Sequence, residues 1–90
     1  MAEYVITLKG IVQNVGFRYK VKKQSEELGF FGFVKNIPNG DVIIRFSGTE
    51  RQFLALYEYL QSCPGRSRVD GIYREKAADR VKFDSFKILY

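Results

Sequence analysis

The chain contains no histidine and one cysteine, and these two shortages remove whole classes of chemistry. Without histidine, neither a Ser-His-Asp nor a Cys-His nucleophile system can be built, so any general base is a carboxylate, a lysine, a tyrosine or the substrate itself. Cys63 has no partner for an internal disulfide, and no second cysteine or histidine is present to complete a zinc site. The sequence therefore excludes an internal disulfide and a zinc site. We also expect no other metal and no cofactor.

Long apolar runs and targeting signals are missing as well. The first residues are not a basic region followed by an apolar stretch, and no apolar run approaches the length of a membrane span. From this we expect a cytoplasmic protein without a membrane partner.

What the chain has is enough apolar surface for one core. In 90 residues, 46% are hydrophobic and 8 Phe and 6 Tyr are present, which predicts a single packed domain over residues 1–90. The net charge of +5 raises the question of nucleic acid. Its densest cluster, Lys20, Lys22 and Lys23, fits a solvated helix face better than a polyanion contact. We expect no nucleic-acid partner, although the charge can draw small anions inward.

Periodicity in the first half of the chain predicts a strand, a helix and a hairpin. Residues 4–12 alternate, with Tyr4, Ile6 and Leu8 on one face. Residues 17–28 carry the apolar spacing of an amphipathic helix, and Gly29 would end it in a left-handed conformation. The β-rich runs 30–37 and 41–47 flank Pro38-Asn39-Gly40, in which Asn-Gly is a strong hairpin signal.

The second half of the chain is predicted to contain a second helix and further strands. Thr49-Glu50-Arg51-Gln52 fits a capping box at the start of a helix, and Pro64-Gly65 is expected to stop that helix. Residues 68–74 are predicted to form a strand, residues 77–79 a loop and residues 82–90 a last strand. The inward residues of this second half are predicted to be Phe53, Leu56, Tyr57, Leu60, Phe86, Ile88 and Tyr90.

This order of elements, βαββαβ with a possible extra terminal strand, predicts the ferredoxin-like arrangement. The fold class is α+β: a two-layer α/β sandwich in which two helices cover one face of a mostly antiparallel sheet of four to five strands.

Residues 10–18 join the first strand to the first helix and suggest a cradle for an anion. Gly10 and Gly16 permit backbone conformations that other residues resist, and Asn14 tolerates positive φ. Consecutive N–H groups could then point inward beside a helix N-terminus, where Arg18 would add a planar charged fork. From these residues alone, an ordinary strand-to-helix loop with a solvated arginine is the favoured interpretation, and the anion cradle is the alternative.

Two motifs give the chain a resemblance to the acylphosphatase family. The family's first signature, Gly-x-Val-Gln-Gly-Val-Gly-Phe-Arg, is matched by Gly10-Ile11-Val12-Gln13-Asn14-Val15-Gly16-Phe17-Arg18. Its second, an aromatic-Val-x-Asn strand before a turn with glycine, is matched by Phe33-Val34-Lys35-Asn36 with Asn39-Gly40 after it. The resemblance spans essentially all 90 residues.

The resemblance implies a metal-independent hydrolase that cleaves the carboxyl-phosphate bond of small acyl phosphates. It implies that Arg18 grips the phosphate and that Asn36 orients the attacking water. Inorganic phosphate would be product and inhibitor, and a small stand-alone member is expected to be a monomer. The residues expected to bind the substrate are Gln13, Asn14, Val15, Gly16, Phe17 and Arg18.

Two alternatives and one departure accompany this hypothesis. The runner-up is a non-catalytic acylphosphatase-like module that only binds anions. A third possibility is an RNA-binding domain that stacks bases on Phe31 and Phe33, although these rings are expected in the core. The departure is Asn14, which stands where the family has glycine and is expected to adopt a left-handed conformation with more strain.

Overall fold

The computed structural model describes residues 2–13, 16–62, 68–77 and 83–89. The order of its elements confirms the predicted one, including the extra terminal strand. The elements are β1 (Ala2–Ile11), α1 (Phe17–Leu28), β2 (Phe31–Asn36), β3 (Val42–Gly48), α2 (Glu50–Gln61), β4 (Arg68–Lys76) and β5 (Phe86–Leu89). Several predictions fall outside the described residues: those for Asn14, Val15, Cys63, Pro64, Gly65, Ala78, Asp79 and Tyr90.

The five strands form one sheet in the order β4-β1-β3-β2-β5. All neighbouring pairs are antiparallel except β2 and β5, which run parallel. The register places Ile6 beside Ile44, and Ile44 beside Val34, so apolar residues of three central strands share one face. The predicted α+β sandwich with a mostly antiparallel sheet is confirmed, with β5 making the sheet mixed.

Both helices pack on this same apolar face. The predicted inward residues of β1 and of the apolar helix faces lie in or against one buried cluster, and β3 adds Val42, Ile44 and Phe46 to it. Burying each large apolar side chain stabilises the fold by about 1.5–3 kcal/mol, so the helix layer is held firmly on the sheet. The buried cluster consists of Ile6, Leu8, Val12, Phe17, Val21, Phe30, Val34, Val42, Ile44, Phe46, Phe53, Leu56, Leu60 and Phe86.

The expectation that Phe31 and Phe33 belong to the core is wrong. Phe31 is 46% exposed, and the neighbouring Val34 is the buried residue of this strand. The outer face of β2 carries Phe33, whose ring meets Phe83 edge-on at 6.1 Å. Phe30, just before the strand, supplies the buried ring instead. A strand with apolar residues on both faces leaves its orientation open, and here the fit of Val34 against Ile44 decides it.

The caps that were predicted for the two helices are confirmed. Gly29 ends α1 with φ 82°, in the left-handed region. At the start of α2, Thr49 Oγ1 accepts from the N–H of Gln52 at 3.1 Å, while Gln52 Oε1 accepts from the N–H of Thr49 at 2.9 Å. Gln52 Nε2 also donates to the carbonyl of Leu28 at 2.8 Å, which ties the end of α1 to the start of α2. In the described part of the chain, neither helix is long and apolar enough to cross a membrane.

Candidate active site

Arg18 contacts the end of β5, and Asn36 lies at the same end of the neighbouring strand β2. Arg18 is in the first turn of α1, half-buried, and its Nη1 donates to the carbonyl of Leu89 at 3.3 Å. Leu89 ends β5 and pairs with Lys35, the residue before Asn36 at the end of β2. The contact with β5 therefore directs the guanidinium toward the strand end that carries Asn36.

The N-terminus of α1 has no side-chain cap. Its N-cap residue, Gly16, has φ 74° and ψ 15°, in the left-handed region, and among the described residues no side chain accepts a capping hydrogen bond there. The first N–H groups of a helix lack intrahelical acceptors and, together with the helix dipole, favour an anion. Thr49 and Gln52 satisfy these groups in α2. The first turn of α1 is thus suited to receive phosphate oxygens beside Arg18.

Asn36 combines partial burial with an unsatisfied acceptor. It lies on the face of β2 that carries Val34, at the rim of the core. Its Oδ1 is buried and accepts no hydrogen bond from any residue that the structure describes. Leaving a buried acceptor without a partner costs about 1–3 kcal/mol, so such atoms call for an explanation. A bound water or substrate atom is the kind of partner that this oxygen fits.

Gln13 connects the loop before α1 to the turn after Asn36. Its Nε2 donates to two backbone carbonyls, that of Ile37 at 2.7 Å and that of Asp41 at 2.9 Å. A side-chain amide has two N–H donors, and both are used here. The side chain of Gln13 therefore holds the β2–β3 turn, and only its backbone is left for the predicted contact with substrate.

Two other residues of the signature segment contribute to packing. Gly10 was expected in the anion cradle, but it lies in β1 at a bulge against β4. A Cβ there would come within 2.1 Å of the Arg68 carbonyl oxygen, so glycine is needed for the close approach of β4. Phe17 is 1% exposed, which anchors the first turn of α1 in the core and leaves its backbone N–H as the group that can face a ligand.

A polar network that the sequence analysis did not single out fixes the β2–β3 turn. Asp41 is buried, and its Oδ2 accepts from Lys9 Nζ at 2.7 Å and from Asn39 Nδ2 at 3.1 Å. This network could be anticipated only from the register of β1 with β3. That register pairs Leu8 with Val42 and so places Lys9 opposite Asp41. The hydrogen bond and the charge of Asp41 raise the pKa of Lys9. The stabilisation from this pair is therefore fully present below the ordinary pKa of a lysine and is lost as the pH rises through the raised pKa.

Replacing Gln13 should weaken the fold measurably. In Gln13→Ala, the two carbonyls of the β2–β3 turn lose their donor, and we expect the free energy of unfolding to fall by about 1–3 kcal/mol. Urea denaturation measures this change. The control is Gln61→Ala at the exposed end of α2, which should stay within about 0.5 kcal/mol of the unsubstituted chain. Equal, small effects in both variants would show that the Gln13 contacts contribute nothing.

Together these groups can bind and position an anion. A helix N-terminus and a guanidinium supply positive charge. At the same end of the sheet, Asn36 supplies a side-chain amide whose oxygen has no partner among the described residues. This set can stabilise negative charge that spreads over phosphoryl oxygens and can orient a small polar molecule next to them.

Comparisons with known proteins identify the family to which the chain is similar. The family profile described as Acylphosphatase matches residues 4–88. A curated relative named acylphosphatase, from Geobacter metallireducens, is 42% identical, and the match covers 96% of this chain and 92% of the relative. The crystal structure of acylphosphatase from Bacillus subtilis superposes with a TM-score of 0.92 at 31% identity, covering both chains completely. The structure of HypF from T. kodakarensis is matched by the whole of this chain with a TM-score of 0.88 and 31% identity, but over 12% of its own length.

Proposed function

This chain belongs to the acylphosphatase family, and we propose that Arg18 and Asn36 are the residues with which it hydrolyses the carboxyl-phosphate bond of small acyl phosphates. It is an enzyme of the acid anhydride hydrolase class. Its substrates are water and an acyl phosphate, and its products are a carboxylate and inorganic phosphate.

The observation that carries the assignment of Asn36 is its buried Oδ1, which accepts no hydrogen bond within the described part of the chain. An asparagine amide offers both an acceptor and two donors. Its oxygen can accept a hydrogen bond from the attacking water while its Nδ2 donates a hydrogen bond to a phosphate oxygen. The water is then held in line with the phosphorus, and this positioning lowers the entropic part of the barrier.

The chemistry requires electrostatic stabilisation more than acid–base catalysis. An acyl phosphate has a weakly basic carboxylate as its leaving group, so no strong acid is needed to expel it. The transition state spreads charge over the phosphoryl oxygens. We propose that the backbone N–H groups of residues 14–18 and the guanidinium of Arg18 stabilise that charge. The proton of the attacking water then passes to a substrate oxygen, so the reaction needs neither histidine nor metal.

Several finer features belong to the same proposal. Residues 1–90 form one domain that acts as a monomer in the cytoplasm on a small-molecule substrate. Neither nucleic acid nor a membrane is a partner, and inorganic phosphate inhibits by occupying the 14–18 loop. The non-catalytic binding module is not favoured, because the family match extends over 4–88 and includes both signature motifs.

Hydrolysis of benzoyl phosphate in the presence of EDTA tests this function. We expect steady turnover that EDTA leaves unchanged and that inorganic phosphate inhibits competitively. A folded chain that binds phosphate without turnover would be the anion-binding module instead. Turnover that appears only after a divalent cation is added would contradict the metal-independent mechanism.

Asn14 gives a further prediction for the 14–18 loop. If this position needs a left-handed backbone, Asn14→Gly relieves strain and leaves kcat equal or higher, whereas Asn14→Ala is more strained and lowers it. Steady-state kinetics of the three proteins give the order. A loss of about tenfold in Asn14→Gly, which is about 1.4 kcal/mol in the barrier, would show instead that the asparagine side chain itself contributes to catalysis.

A further inference from the structure

Asp41 is the point at which three parts of the molecule meet. Its carboxylate accepts from Lys9 of β1, and its N–H donates to Asn39 Oδ1 at 3.0 Å within the β2–β3 turn. Its carbonyl accepts from the N–H of Ile37 at 3.0 Å and from Gln13 Nε2 at 2.9 Å. The backbone and side chain of Asp41 thus bind a strand, a turn and Gln13. Gln13 directly precedes residues 14–18, the proposed phosphate loop.

These contacts join the two halves of the proposed site. One half is the loop that begins after Gln13 and leads into α1 and Arg18. The other half is Asn36, which pairs with Val42, the residue directly after Asp41. In the part of the chain that the structure describes, Gln13 binds the carbonyls of Ile37, next to Asn36, and of Asp41, next to Val42. Of these two residues, Asp41 has the side chain that ties the turn to β1.

The carboxylate gives this junction its rigidity. The side chain of Asp41 is 12% exposed, and Lys9 and Asn39 both donate to the same oxygen, Oδ2. A buried carboxylate has to be satisfied by hydrogen bonds, so removing Lys9 or Asn39 takes a donor from Oδ2, and removing the carboxylate detaches the turn from β1. The β2–β3 turn is therefore held against β1 by the Asp41 carboxylate, which would lose its hydrogen-bond donors if the turn moved.

We propose that Asp41 is a positioning residue for acyl phosphate hydrolysis, which sets the spacing between the phosphate loop and Asn36. This inference rests on the proposed function of Arg18 and Asn36. Asp41 acts through Gln13 on the loop and through the turn on Asn36. Its loss changes the placement of the attacking water relative to the phosphorus, while each half of the site stays intact.

If Asp41 has this role, replacing it should lower the catalytic rate much more than the affinity for phosphate. A displacement of about 1 Å between reacting groups can lower a rate by about 10²-fold. Phosphate binding depends mainly on the 14–18 loop and Arg18, with one hydrogen bond added by Asn36 Nδ2, so it should change much less than the rate. We therefore expect Asp41→Ala to lower kcat by about 10- to 100-fold, with the inhibition constant of inorganic phosphate within about threefold of its original value.

Three further variants separate the effect of geometry from that of charge and from a general loosening of the site. Asp41→Asn keeps an oxygen where Oδ2 accepts both bonds, so it should recover kcat to within about threefold. Glu26→Ala is the matched control, because Glu26 forms a lysine–carboxylate pair with Lys22 at 3.0 Å on the exposed side of α1, and its kcat should not change. Lys9→Met tests the junction from the other side if Asp41→Ala does not fold, and it should lower kcat severalfold with unchanged phosphate inhibition.

The outcomes are distinct. If Asp41→Ala folds and keeps its kcat, the positioning role is overturned. If Asp41→Ala does not fold, an unchanged kcat in Lys9→Met overturns it instead. Parallel losses of kcat and of phosphate affinity also overturn it, because they indicate a general loosening of the site. If the unsubstituted chain hydrolyses benzoyl phosphate and Arg18→Ala does not, failure of the Asp41 prediction leaves the proposed function standing. If the unsubstituted chain shows no hydrolysis, both proposals fail together.

Discussion

Arg18→Ala is expected to lower kcat/KM for benzoyl phosphate by about 10³- to 10⁵-fold, the range known for arginines that stabilise a phosphoryl-transfer transition state. The contact between Arg18 and the Leu89 carbonyl directs the guanidinium toward the end of β2 where Asn36 lies. Alanine removes both the charge and the planar donors. Steady-state kinetics at fixed ionic strength measure the loss.

Two companion variants make the Arg18 result specific. Arg18→Lys keeps the positive charge but loses the fork that matches two phosphate oxygens, so it should recover only a small part of the rate. Arg51→Ala removes an exposed arginine from the first turn of α2 and should leave kcat/KM unchanged. A loss below about tenfold in Arg18→Ala, or below about 1.4 kcal/mol in the barrier, would contradict the role assigned to Arg18.

Asn36→Ala is expected to lower kcat by about 10²- to 10³-fold and at the same time to leave the fold as stable or more stable. The rate falls because the attacking water loses the group that orients it. Stability does not fall, because the substitution removes a buried oxygen that has no partner among the described residues. Kinetics and urea denaturation of the same preparation measure the two effects.

The opposite signs of these effects distinguish a catalytic asparagine from a structural one. Asn36→Asp keeps the shape but replaces the donor with a negative charge next to the phosphate, so it should be inactive. Lys35→Ala is the neighbouring control, because Lys35 is exposed on the other face of β2. An Asn36→Ala variant that loses stability and only a little activity would show that Asn36 holds the hairpin rather than the water.

Much of the fold follows from local patterns in the sequence. The spacing of Phe17, Val21 and Ser25 predicts the buried face of α1, and these three residues are its buried ones. Gly29 and the Thr49–Gln52 capping box mark helix ends with local hydrogen bonds, which depend on only a few neighbouring residues. Such signals are readable because their physical cause lies within one turn of chain.

What could not be predicted depends on contacts between distant segments. Phe31 and Phe33 lie on the outer face because Val34 fits against Ile44, a choice that the alternation in β2 leaves open. Gly10 is needed because β4 approaches it closely, which only the β1–β4 register reveals. These positions need the sheet order before they can be understood.

The same distinction between local patterns and long-range contacts applies to the candidate site. Arg18 and Asn36 are identified by motifs, and the roles given to them follow from the resemblance to the family. Gln13 is part of the first motif as well, yet its two hydrogen bonds to the β2–β3 turn come from the fold. The pairing of Lys9 with Asp41 spans 32 residues, and no local pattern predicts it.

The central claim is that water oriented by Asn36 attacks the phosphorus of an acyl phosphate held by Arg18 and the 14–18 loop. Hydrolysis of benzoyl phosphate in oxygen-18-labelled water, followed by mass spectrometry of both products, tests it most directly. The account predicts that the label enters inorganic phosphate and is absent from benzoate, and that Arg18→Ala abolishes its enzymatic incorporation. Label in the benzoate carboxylate would mean attack at the carbonyl carbon and would contradict the account.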